Sequence, residues 1–248
     1  MGTLNILRND VFGLTVQGEG PYQGRPVIFM RVHGCHVQCP GCDTAYTWDG
    51  SERGIFEQPE EVAKQIMNLI PVNYRTSIGF VMSGGEPLMY ANSQPIITLL
   101  DILSQTGMLS FISLETSGAS PHSKQDVINF TAPFDSVCVC PKITPCLQGK
   151  LDESAFFEHT SNILLAYQRR PRNNYLKFVV RDQQDMDAVD SFMDRIEARF
   201  APVYIMPYGI TADEIITNMR GFSDWVITRG YFITPRLHTL IWNNERMR

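Results

Sequence analysis

Short apolar runs rich in β-branched and aromatic residues alternate with amphipathic stretches of helical period along most of this chain, and that alternation limits what it can fold into. Pro26–Val32, Ile78–Met82, Phe111–Leu114, Ser136–Val139, Leu176–Val180 and Pro202–Met206 are too short for globular helices and read as six buried strands. Between them, Val62, Ile66 and Leu69 share one face of a helix over Glu60–Ile70. Ile96, Leu99, Leu100 and Leu103 form a stripe over Pro95–Thr106, with Gly107 as the stop signal. Met186, Val189, Met193, Ile196 and Phe200 recur at helical spacing, and Ala212–Arg220 begins a further helix. Strands that alternate with helices make a mostly parallel sheet, open or barrel-like. No internal repeat, low-complexity tract or linker interrupts the pattern, so residues 1–248 read as one domain, with 143–174 as an insertion or mobile loop.

In such folds ligands gather where the strands end. The unusual residues fall there: Cys35 after the first strand, Ser83-Gly84-Gly85-Glu86 after the second, and Glu115-Thr116-Ser117-Gly118 after the third. Cys140-Pro141-Lys142 follows the fourth strand, and Met206-Pro207-Tyr208-Gly209 closes the sixth. Five such clusters on one rim predict one shared site.

Composition narrows the class. The formal net charge is −5, which disfavours direct binding to a nucleic-acid backbone. No apolar run is long enough to span a membrane, and the first residues lack the charged-then-apolar pattern of a secretory signal, so the expected location is the cytoplasm. Six cysteines are too few for a disulfide scaffold of this length; clustered in a reducing compartment, they point to metal or redox chemistry.

Cys35, Cys39 and Cys42 offer three thiolates from one loop. A structural zinc site normally takes four protein ligands, and His33 and His36 are badly placed to complete a tetrahedron with all three thiols. A [4Fe–4S] cubane held by three cysteines leaves one iron free to bind a small chelating molecule. The Cys-x3-Cys-x2-Cys spacing resembles that of the radical S-adenosylmethionine (SAM) enzymes; a non-catalytic zinc-binding loop is the other reading. Cys138, Cys140 and Cys146 lack a fourth ligand at suitable spacing and read as buried or free thiols.

The chain as a whole resembles the 7-carboxy-7-deazaguanine synthases. The resemblance rests on Phe12–Gly20, Phe29–Cys35, Cys42-Asp43-Thr44 with Trp48 downstream, Glu115–Gly118, Pro141-Lys142, Leu176–Val179 and Pro235-Arg236-Leu237-His238. Glycyl-radical activases share the cysteine spacing and are the enzyme alternative. What the resemblance implies is a partial, incomplete TIM-like β/α barrel of about six mainly parallel strands, commonly dimeric. The implied reaction contracts the ring of 6-carboxy-5,6,7,8-tetrahydropterin to 7-carboxy-7-deazaguanine, releases ammonia and regenerates SAM. It needs a [4Fe–4S] cluster on Cys35, Cys39 and Cys42, SAM, Mg²⁺, and a reductant such as flavodoxin or ferredoxin.

By the same resemblance, Val16, Gln17, Gly18, Glu19, Arg31, Ser83 and His238 contact the substrate. Gln17 suits the amide-like pterin edge, and Arg31 offers a planar fork for the substrate carboxylate, unless it pairs with a structural one. The implied SAM contacts are Gly41, Asp43, Gly84, Gly85, Glu86, Glu115, Cys140, Pro141, Lys142, Met206, Pro207, Tyr208 and Gly209. Thr44 is the implied Mg²⁺ ligand, ahead of Asp43, unless it only caps a turn. The chain departs from the family pattern where Gly41 replaces the usual aromatic before the third cysteine, Cys140 replaces a serine, Ser83 stands where members often have threonine, and the Met206–Gly209 turn carries other side chains.

Overall fold

A computed structural model of the chain describes residues 2–74, 78–166, 174–196 and 200–246. Among the described residues, nine strands form one open sheet: β1 (Leu4–Val16), β2 (Pro26–Val32), β3 (Gly54–Glu57), β4 (Gly79–Gly84), β5 (Phe111–Thr116), β6 (Ser136–Val139), β7 (Tyr175–Val180), β8 (Val203–Pro207) and β9 (Phe232–Ile233). Their spatial order is β3-β1-β2-β4-β5-β6-β7-β8-β9. From β2 to β9 every pairing is parallel, whereas β1 runs antiparallel to both β2 and β3. All six predicted strands are present as β2 and β4 to β8. The sheet has three more than the sequence predicts, and none of them carries a clean apolar period. β1 contains two register irregularities against β2, which break its alternation. β3 and β9 are short edge strands of four and two residues.

The crossovers place helices on one face of the sheet. They are α1 (Pro59–Asn68), α2 (Gln94–Gln105), α3 (Lys124–Thr131), α4 (Ser154–Ala166), α5 (Gln183–Arg195), α6 (Ala212–Arg229) and α7 (Leu237–Trp242). α2 buries the predicted stripe of Ile96, Leu99, Leu100 and Leu103, while α1 buries Val62, Ala63 and Ile66 and leaves Leu69 at its border. Both begin with proline in the first turn, where its missing N–H costs no hydrogen bond. α3 and α6 begin in capping boxes, Ser123 with Asp126 and Thr211 with Glu214. α5 stops at Arg195, so Phe200 does not extend its stripe and is 47% exposed. Within 143–174, residues 167–173 lie outside the described residues; the rest includes α4, whose Phe156, Ile163 and Leu164 are buried in the main core.

Strand alternation then divides the sheet into two faces. Phe80, Met82, Ile112, Leu114, Val137, Val139, Leu176, Phe178 and Ile205 join the helices in the main core. The opposite, concave face carries Arg31, Ser83, Glu115, Cys138, Tyr175 and Lys177, a far more polar set for such burial. At its N-terminal end it is closed by Tyr22 stacked on Phe111, with ring centroids 4.0 Å apart.

Candidate active site

The concave face opens at the C-terminal ends of the strands into a cavity of about 240 Å³. The loop after β2 brings Cys35, Cys39 and Cys42 to its wall, and Gln17, Glu19, Arg31, Ser83, Glu115, Lys177, Arg236 and His238 line it as well. All six cysteines are free thiols. Burial pushes the Cys35 thiol up to about 11, with the Glu86 carboxylate adding to the effect, and pushes Cys39 up to about 12. These thiols are therefore protonated near neutral pH, and a metal cluster must displace their protons to bind. Three thiols on one loop, facing a cavity rather than a closed shell, are a donor set that fits an iron–sulfur cluster with one iron left open. Among the described residues, no three Cys, His, Asp or Glu side chains stand close enough to hold a single metal ion.

The end of β4 is tied to its neighbours by Glu86, which is 1% exposed. One carboxylate oxygen accepts from the Leu88 N–H at 2.9 Å and from the Thr116 hydroxyl; the other accepts from the Ser117 N–H at 2.8 Å and the Ser117 hydroxyl. Four donors engage it, so Glu86 joins the ends of β4 and β5 and leaves backbone as the main surface this segment offers a ligand. Gly85 is required by packing: a Cβ there would stand 1.8 Å from the Gly34 carbonyl oxygen. That close approach seats the Ser83–Glu86 segment against the strand-to-cysteine-loop turn.

Glu115 bridges two groups of the expected substrate set. It accepts from Gln17 Nε2 at 3.1 Å and from Ser83 Oγ at 3.0 Å. The Gln17 side-chain oxygen accepts from the Glu19 N–H at 3.3 Å. Glu19 is held by two cations: Lys177 Nζ donates to one oxygen, and Arg236 Nε stands 3.6 Å from the other. Burial alone would raise the Glu19 pKa, but Lys177 and Arg236 outweigh it and hold the carboxyl below its usual range. Arg236 also pairs with Asp43 and donates to the Gly209 carbonyl at 2.8 Å, so it connects the cysteine loop to the end of β8. Burial lowers the His238 pKa despite nearby Glu19, which favours neutral imidazole near pH 7 with one donor and one acceptor. Its ring rests on Gly18, where a Cβ would meet Nδ1 at 1.9 Å.

Of the residues expected from the sequence, Val16, Gly41, Asp43, Thr44, Gly84, Gly85, Glu86, Cys140, Lys142, Met206, Pro207, Tyr208 and Gly209 also line the cavity. Gly18 and Pro141 do not; Gly18 contributes by giving room to His238. The Thr44 hydroxyl does not cap the following turn and lies 3.5 Å from Cys42 Sγ. Cys140 accepts from Lys142 Nζ at 3.0 Å, while Cys138 and Cys146 are buried. Lys177 and Arg236 carry no expected role, yet they provide much of the cavity's fixed positive charge. The sequence signal for Lys177 is a charged residue inside an otherwise apolar strand, an arrangement that burial forbids without a partner.

Known proteins resemble this chain in sequence and in fold. Residues 16–132 match the 4Fe-4S single cluster domain family. A 7-carboxy-7-deazaguanine synthase of Pyrobaculum aerophilum is 30% identical over 235 residues, covering 94% of this chain and 93% of that protein. The crystal structure of QueE from Escherichia coli superposes with a TM-score of 0.61 at 22% identity, over 95% of each chain. That of Streptococcus suis SuiB bound to S-adenosylmethionine superposes with a TM-score of 0.56 at 11% identity, over 84% of this chain and 50% of that one.

Proposed function

The chain belongs to the 7-carboxy-7-deazaguanine synthase family of radical SAM enzymes, and from that membership we propose that it contracts a carboxylated tetrahydropterin to 7-carboxy-7-deazaguanine with release of ammonia. Its cofactors are a [4Fe–4S] cluster and SAM, and its substrate is a small molecule. The observation that carries the reading is the convergence, in one cavity, of three thiols from a single loop with the Gln17–Ser83–Glu115 group and Arg31.

What the cofactors supply when bound is one-electron cleavage chemistry and, from it, hydrogen-atom abstraction at C6 of the pterin. The chain's own residues bind and orient. Cys35, Cys39 and Cys42 hold the cluster. Gly41, Gly84, Gly85, the Cys140–Lys142 segment and the Met206–Gly209 turn receive SAM, with Glu86 bracing the glycines. Gln17, Glu19, Ser83 and His238 read the pterin edge, and Glu115 fixes the Gln17 amide and the Ser83 hydroxyl. Arg31 takes the substrate carboxylate. Thr44 would offer its hydroxyl to Mg²⁺, a hard cation that takes oxygen ligands. Arg236 holds Asp43 at the edge of this region. A flavodoxin- or ferredoxin-type reductant and a homodimeric state complete the reading. No helix among the described residues is long and apolar enough to cross a membrane.

The test is anaerobic: protein reconstituted with iron and sulfide, then incubated with SAM, reductant, Mg²⁺ and 6-carboxytetrahydropterin. The deazaguanine acid is expected as product. SAM cleavage with no deazaguanine formed would refute the substrate assignment.

A further inference from the structure

Beside Arg31, one buried carboxylate lies between two arginines. Asp10 on β1 is 0% exposed. Its Oδ1 is 3.9 Å from Arg31 Nη1 and 3.5 Å from Arg246 Nη2. Asp10 Oδ2 and Arg31 Nη1 are both buried without a hydrogen-bond partner. Arg31 is steadied by aromatic faces, 4.6 Å from the Phe12 centroid and 5.9 Å from Phe29. Arg246 is anchored on the far side. Its guanidinium lies 3.7 Å from the Tyr46 centroid, Nη2 donates to Glu52 Oε2 at 3.1 Å, and Nη1 donates to Glu52 Oε1.

A buried carboxylate draws in whatever cation it can reach. Asp10 has two within reach: Arg246 Nη2 donates a long hydrogen bond to its Oδ1 at 3.5 Å, whereas Arg31 makes none. With Arg246 present, part of its charge is compensated, and Arg31 stays short of hydrogen-bonding distance. Without Arg246, Arg31 is the remaining cation of the pair, and a shift of about 1 Å would turn the gap into a charge-assisted hydrogen bond. Arg31 would then meet a ligand already neutralised.

We propose that Arg246 is a positioning residue: by compensating Asp10 it keeps the Arg31 guanidinium free for the carboxylate of the substrate. This rests on the reading of Arg31 as the carboxylate-binding group. It assigns to a residue far along the chain, outside the cavity, a share in discriminating carboxylated from uncarboxylated pterins.

The experiment compares two probes, 6-carboxypterin and unsubstituted pterin, bound to the reconstituted holoenzyme with SAM and followed by calorimetry. Arg246→Ala is expected to weaken 6-carboxypterin binding about fivefold, the scale of one partly exposed ion pair, and to leave pterin unchanged. Arg246→Lys, which keeps the charge, should retain most of the affinity. Asp10→Asn added to Arg246→Ala should restore it, because no carboxylate then competes for Arg31. Equal losses for both probes, no loss in Arg246→Ala, or a double variant as weak as the single would each overturn the proposal. Arg31→Ala separates the premise from the inference. If it fails to discriminate between the probes, the Arg31 reading falls; if it discriminates and Arg246→Ala does not, only the role of Arg246 falls.

Discussion

Lys177→Met removes the closest cation from Glu19 and tests whether the polar concave face of the sheet is held by paired charge. Both side chains are nearly sealed from solvent, 7% exposed for Lys177 and 10% for Glu19. Breaking a buried pair from one side costs about 3–5 kcal/mol, because the remaining charge keeps its desolvation penalty and loses its partner. Arg236 stays 3.6 Å from the other Glu19 oxygen, which favours the lower end, about 3 kcal/mol. A domain stable by about 5–15 kcal/mol can absorb that loss and remain folded for measurement. The sign of the pH dependence follows from the pKa directions. In the parent protein Glu19 sits below its ordinary 4.5, so its contribution is present above that value and fades as pH falls toward the depressed folded pKa. In the variant, burial has lost its main opponent and Glu19 protonates more readily, which relieves the penalty at low pH. Urea unfolding of both proteins should therefore show a gap of about 3 kcal/mol at pH 7 that is nearly intact at pH 4.5 and falls to about half near pH 3. Lys177→Met/Glu19→Gln, which removes both charges, should recover most of the stability at pH 7. A penalty that does not change with pH, or a double variant as unstable as the single, would show that the lysine stem's packing and not the ion pair is responsible.

Two glycines carry further predictions. Gly18→Ala would place a Cβ 1.9 Å from His238 Nδ1, so the imidazole must swing away; pterin binding by the holoenzyme should weaken while SAM binding, measured separately, stays within about twofold. Gly85→Ala meets backbone instead of a movable ring, at 1.8 Å from the Gly34 carbonyl oxygen, and is expected to cost about 3 kcal/mol in thermal or urea unfolding and to disturb both ligands together.

The elements legible in the sequence share one property: both neighbours in the sheet and the helices above demand apolar residues from them. β4, β5, β6 and β7 are interior parallel strands, and β2 and β8 are enclosed as well, so each shows a compact apolar run. β1 lies outside this regime. It mixes Asn5 and Asp10 with apolar residues, takes antiparallel partners on both sides, and accommodates irregularities that shift its period. α3 and α4 were hidden for a related reason. α3 is only eight residues long, and α4 carries Thr160 and Asn162 among its buried positions, so neither shows a clean apolar stripe.

The site was legible as a set of residues and not as a set of pairings. The cysteine loop, Ser83 and Glu115 are marked by residue type at the ends of apolar runs, Gln17, Glu19, Arg31 and His238 only by the family resemblance, and the structure brings them to one cavity. Which of them touch cannot be read from spacing, because the contacts cross the sheet: Glu115 meets Gln17 across 98 positions and Lys177 reaches Glu19 across 158. Those crossings give the interior its chemistry. Glu86, one of the SAM contacts that the resemblance implies, is already engaged by four protein donors. Lys177, whose strand is otherwise apolar, supplies the charge that keeps Glu19 ionised. A buried carboxylate can face a ligand only when the fold leaves it a free lone pair and a stable charge. At this site the first condition favours Glu19 over Glu86, and the second is met by Lys177, buried in an otherwise apolar strand.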